Sequence, residues 1–261
     1  MSFTSTLWRG LLAGGLAGLL LGILQVAVVS PLILEAEKYE GGASEASAPA
    51  GEKTAPKPVA QADGHEHGHS HGHDHGSHAW QRPTFTVVGG TALGIALGLL
   101  SVLLLNVLPL DGFRTNWVFG LLFGVCGFLS VNGIPSMGLP PPLPGVIGGE
   151  ADFPLRQRWW LLAVSLSGLG FLTIGCLPHL LRSRLQVGPG ASRALGLLLG
   201  ATLLALPFVL GVPEHSTASS APAWLRNKFV ATTLSVNAVF WVLLGGLSSW
   251  LLSRGARLET G

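Results

Sequence analysis

Six stretches of this chain are each apolar and long enough to cross a lipid bilayer, and no other feature narrows the fold as much. They run approximately over Gly10–Leu34, Thr84–Leu108, Asn116–Ile134, Trp159–Leu181, Arg193–Val212 and Phe229–Leu252. A hydrocarbon core about 30 Å thick is spanned by roughly 20 helical residues. Inside lipid only a helix or a closed barrel satisfies its own backbone, and continuous apolar runs of this length point to helices. The expected fold class is all-α: a polytopic membrane helical bundle of about six transmembrane helices. Pro178 and Pro207 fall inside the fourth and fifth stretches and make their boundaries the least defined. Merging or losing one stretch would leave five spans.

Composition agrees. Only 11% of the residues are charged, against about 25% in soluble domains. The net charge of +2 is too small to point to nucleic acid. The first stretch carries Arg9 alone ahead of its apolar run. That run exceeds the roughly 7–15 residues of a signal-peptide core, so it reads as a retained span. Cys126 and Cys176 both lie in apolar stretches and read as small buried hydrophobes.

Glycine is placed with a period. Gly10, Gly14, Gly18 and Gly22 recur every four residues in the first span. Gly90, Gly94 and Gly98 do so in the second, with Gly120/Gly124 and Gly196/Gly200 later. Small residues at this spacing share a helix face and let backbones approach closely, which predicts Gly-rich helix packing.

Charge placement sets the expected orientation. With the N-terminus in the cytoplasm, the inner segments hold seven basic and two acidic residues, and the outer ones eight basic and eleven acidic. Both termini are therefore expected inside. The division along the chain is a first transmembrane helix (1–34), an acidic and His-rich outer loop (35–83), and a five-helix bundle with a short cytoplasmic tail (84–261). Gly41–Gly64 is too poor in large apolar residues to build a core and is expected to be disordered.

The outer loop carries the strongest chemical signal, HEHGHSHGHDHGSH. Seven of the nine histidines fall in it: His65, His67, His69, His71, His73, His75 and His78. Neutral imidazole binds first-row divalent metals, and Glu66 and Asp74 add carboxylate oxygens. Glycine and serine between them let the segment wrap an ion without imposing one geometry. Glu35 and Glu37 stand at the outer mouth of the first span. Two residues apart on a helix, they point to different faces. Polar groups within the spans are Gln25, Asn106, Asn132, His179 and Asn237; hydrogen bonding between helices is the expected role of the asparagines. No P-loop, H-E-x-x-H or G-x-S-x-G occurs, and nothing in the sequence suggests an enzyme.

Several landmarks carry a resemblance. PLILEAEKYE (Pro31–Glu40) follows the Gly-rich first span, and the His/Asp/Glu loop ends in Trp80. GLPPPLPG (Gly138–Gly145), RQRWW at the start of the fourth span, and NAVFWVLLG (Asn237–Gly245) come later in the same order. Together they resemble the CbtA family of predicted cobalt transporter subunits. The resemblance implies a cobalt uptake protein of the bacterial inner membrane, serving cobalamin synthesis, and a small membrane partner, CbtB, with its own His motif. Nickel or zinc would also suit the ligands, and an oligomer of the chain is compatible. It places Glu35, Glu37 and the His65–His78 cluster on the metal path. The match departs at Asn132, Pro142 and Phe208, where family members tend to carry His, Glu and His. The expected route takes metal from the loop past Glu35 and Glu37 and then between the Gly-packed helices. The rival expectation is a membrane-anchored metal buffer or sensor without transport.

Overall fold

The computed structural model describes residues 3–45, 80–107, 117–143, 152–213 and 221–258. Every regular element among them is helical. The order is α1 (Phe3–Leu24), a first π-turn (Gln25–Val29), α2 (Ser30–Glu45), α3 (Gln81–Val107) and α4 (Trp117–Phe128). A second π-turn (Leu129–Gly133), α5 (Ile134–Gly138), α6 (Asp152–Leu185), α7 (Pro189–Val209) and α8 (Ala223–Leu258) complete it. Six helices are long and apolar enough to cross a membrane: Phe3–Tyr39, Gln81–Val107, Trp117–Gly138, Phe153–Leu185, Pro189–Val209 and Ala223–Arg254.

The six expected spans are thus present, with two adjustments. Pro178 and Pro207 lie inside continuous helices. Within lipid, a helix tolerates proline because neighbouring groups satisfy the freed carbonyl. The first helix does not stop at Leu34 but continues to Glu45, so Gly41–Glu45, expected within a disordered stretch, are helical. Glu35, Ala36, Glu37 and Lys38 are compatible with helix, and no proline occurs between Pro31 and Pro49.

Both π-turns end two residues before a proline, Pro31 and Pro135. Proline lacks an N–H and its ring clashes with the carbonyl four residues earlier. The wider π-turn absorbs both problems by inserting a residue into the ladder. At the first of them the Ser30 N–H and hydroxyl both donate to the Gln25 carbonyl.

α1 packs antiparallel on α3 and also against α8; α4 packs on α8; α6 pairs with α7 and meets the rest mainly through the second π-turn and α5. The periodic glycines sit where these helices touch. A Cβ on Gly14 would overlap the Gly94 carbonyl, one on Gly18 would lie 2.8 Å from the Gly94 Cα, and one on Gly10 would lie 2.9 Å from the Gly98 carbonyl oxygen. Gly120 and Gly124 meet Gly245 and Trp241, and Gly200 meets Gly170 and Ile174.

The segments join alternate ends of the helices, giving two faces. One, here the termini face, carries Phe3 and Arg254. There Arg182 Nε donates to the Ser192 hydroxyl (3.1 Å), fastening α6 to α7. On the other, the loop face, Leu32 and Ala36 of α2 share a core with Leu143, Leu225 and Phe229. That core brings the end of the first span, the Pro140–Pro142 turn and the start of α8 together.

Candidate functional site

The His65–His78 cluster, with Glu66 and Asp74, lies outside the described residues. Of the other expected ligands, Glu35 is half-buried beside Ala36 and Glu37 is exposed, as their spacing requires. Among the described residues no three His, Cys, Asp or Glu side chains gather into a metal site.

The Gly-packed contacts of α1 with α3 and of α4 with α8 are tight. Where an added methyl group would overlap backbone, an ion with its ligands has no room. Between α1 and α3 the absence of side chains brings the backbones into contact.

The open space lies elsewhere on the loop face, between the Pro140–Pro142 turn, α6 and α8. Two adjoining hollows, of about 700 and 430 Å³, share Pro140, Pro141, Pro142 and Arg156. The larger is also lined by Arg226 and Asn227 from the first turns of α8. The smaller runs inward to Asn132, Ser136 and Thr233. The Thr233 hydroxyl oxygen is buried with no hydrogen-bond partner among the described residues. Prolines without N–H groups form a rigid rim here. The second π-turn sets Asn132 on the inner wall, and α8 supplies Thr233 opposite.

Asn132 crosses between helices: its Oδ1 accepts a hydrogen bond from Trp241 Nε1 at 2.9 Å. Trp241 is buried, packs edge-on to Phe240 (5.6 Å between centroids), and covers Gly127. A third, apolar cavity of about 420 Å³ is lined by Ser130, Val131 and Trp241, with Cys126 and Cys176 in its wall. The Asn132–Trp241 pair thus stands between the recess and this cavity. The two cysteines are free and half-buried, and face a cavity more than a close-packed core. Asn237 does not bridge helices as expected; its Nδ2 donates to Thr233 O (2.8 Å) on its own helix. Asn106 Nδ2 donates to Val102 O (2.8 Å) on its own helix. His179 is exposed near the termini face.

Asn132 and Pro142, two of the three positions where the sequence departs from the resembled pattern, line the recess. The third, Phe208, packs edge-to-face on Trp159 (6.0 Å), whose ring covers Gly138 at the end of α5. The model for a probable cobalt transporter subunit (CbtA) matches residues 3–253, nearly the whole chain. The chain belongs to the CbtA family. No curated protein and no solved structure matches it. Membership makes this six-helix protein a subunit of a cobalt transporter family, and a subunit implies partners. Sequence reading missed the recess as a site. Its signal was present in Pro140–Pro142 followed by Arg156 and Gln157, but nothing in the spacing joins those residues to Arg226 and Thr233 on the last helix.

Proposed function

We propose that this chain is the membrane-spanning subunit through which cobalt enters a bacterial cell, with the loop face outside and both termini in the cytoplasm. The observation that carries the reading is the family match over residues 3–253 on six apolar helices. Cobalt is the substrate. The His65–His78 segment joins α2 to α3 on the loop face and collects metal from dilute solution, with Glu66 and Asp74 as further ligands. Glu35 and Glu37 stand on α2, ahead of that segment in the chain. Metal then enters the recess, where Asn132, Ser136 and Thr233 offer neutral oxygens. The Asn132–Trp241 hydrogen bond closes its inner end.

The residues lining the recess supply no full coordination sphere. A small partner subunit of the CbtB type, bearing its own histidines, would complete the ligands. The same observation favours one second reading, a membrane-anchored buffer or sensor that hands metal on. Cobalt uptake into cells expressing the chain, with and without the small partner, tests the first reading. Replacing His65, His67, His69, His71, His73 and His75 with Ser should lower uptake at scarce cobalt and leave the maximal rate unchanged. Loss of maximal rate would put the histidines in the pore. No cobalt entry above that of cells lacking the chain would leave the buffer reading.

A further inference from the structure

We propose that the mouth of the recess is a phosphate-oxyanion site built on Arg156 and Arg226. The two arginines come from different helices and line one hollow of about 700 Å³ together with Asn227. None of the described residues lining either hollow is acidic. Arg156 is half-buried and lines both, with Gln157 in the inner one.

Basic side chains at a membrane edge usually extend along the lipid-facing surface into water. Arg158 and Lys228 are exposed and line neither hollow. Arg156, half-buried, and Arg226, exposed, stand two residues away along the same helices and line the recess. A guanidinium is always charged and presents a planar fork of donors that matches phosphate oxygens. Two such side chains lining one hollow, with no carboxylate among its described lining residues, concentrate positive charge for which a phosphate is the complement. Trp160 and Trp224 are partly exposed beside the recess, at the level where aromatic rings meet lipid headgroups. The occupant is therefore either the phosphodiester of a lipid headgroup or a free phosphate. In both cases it neutralises a mouth that would otherwise repel a dication. The binding itself does not rest on the transport reading.

The test uses the full chain, delipidated in detergent and free of cobalt. Calorimetric titration with short-chain phosphatidylglycerol, glycerol phosphate and inorganic phosphate is run at constant ionic strength in chloride. Saturable binding is expected for at least one probe. Arg156→Gln and Arg226→Gln should each weaken it at least about tenfold, the size of one lost charge-assisted hydrogen bond. Arg158→Gln and Lys228→Gln should stay within about twofold of the parent, as surface changes do. Binding of the lipid alone assigns the site to a headgroup; binding of all three assigns it to the free oxyanion. Should a Gln variant fail to fold, Arg156→Lys and Arg226→Lys keep the charge without the fork and should still weaken binding. No saturable binding by any probe overturns the assignment, as does an equal loss in the Arg158 and Lys228 variants. Failure here leaves cobalt uptake untouched, so the two readings fall separately.

Discussion

Gly94→Ala and Gly89→Ala place the same methyl group on the same helix, α3, and should have opposite consequences. At Gly94 the new Cβ would overlap the Gly14 carbonyl oxygen and lie 2.5 Å from the Gly18 Cα, where ordinary contact begins at 3.4 Å. α1 must therefore retreat by at least the difference, 0.9 Å, or tilt by as much. A gap of roughly 0.5–1 Å forfeits a quarter to a half of each contact's dispersion energy. The loss is spread along the Gly10, Gly14, Gly18 and Gly22 register, because the helices are stiff. Overpacking of this kind costs about 1–3 kcal/mol. At Gly89 nothing lies within 4 Å of an added Cβ, and the residue is exposed. There Ala should be neutral or stabilising by up to about 1 kcal/mol, through helix propensity. Unfolding of the purified protein by titrating a denaturing detergent into mixed micelles reads both. If Gly94→Ala falls within about 0.5 kcal/mol of Gly89→Ala, the spread of ordinary surface changes, the α1–α3 packing described above is wrong.

Asn132→Leu leaves the Trp241 indole N–H without its acceptor and should cost about 0.6 kcal/mol, up to roughly 1.7. A double-mutant cycle with Trp241→Phe measures the coupling; zero coupling would contradict the contact. Reporter fusions at residue 75 and after Gly261 should report opposite sides of the membrane, and the same side for both would refute an even number of spans. Cobalt binding to the full chain should be lost as pH falls from about 7 to 5, because imidazole with an unperturbed pKa near 6.5 must be neutral to coordinate. Bound metal favours the neutral form, so the midpoint should lie below that value, and the six-His-to-Ser variant should lack the transition. An equilibrium dialysis series over that range checks it.

The six spans were legible because lipid demands long apolar helices, and each run is bounded by charged or Pro-rich sequence. The glycine faces were legible because a four-residue period needs no tertiary information. The end of the first helix was not: the polar residues after Leu34 signal the membrane edge, which a helix can outrun. Nor were the π-turns, since Pro31 and Pro135 alone do not reveal how the ladder accommodates them. The Asn132–Trp241 bond spans 109 residues of sequence and depends on the crossing of α8 with the second π-turn. Local pattern carries no record of such a crossing. Glycine periodicity likewise predicts where helices meet and is silent on where they part.

The central claim, that the chain moves cobalt across a membrane, is tested most directly by flux into sealed proteoliposomes. The purified chain is reconstituted with its small His-bearing partner, cobalt is supplied on the loop face, and an internal metal-sensitive dye reports entry. Saturable, time-dependent accumulation is expected, slower at low cobalt in the six-His-to-Ser variant and equal to the parent at saturation. Cobalt that binds the vesicles in proportion to protein without reaching the interior would contradict transport.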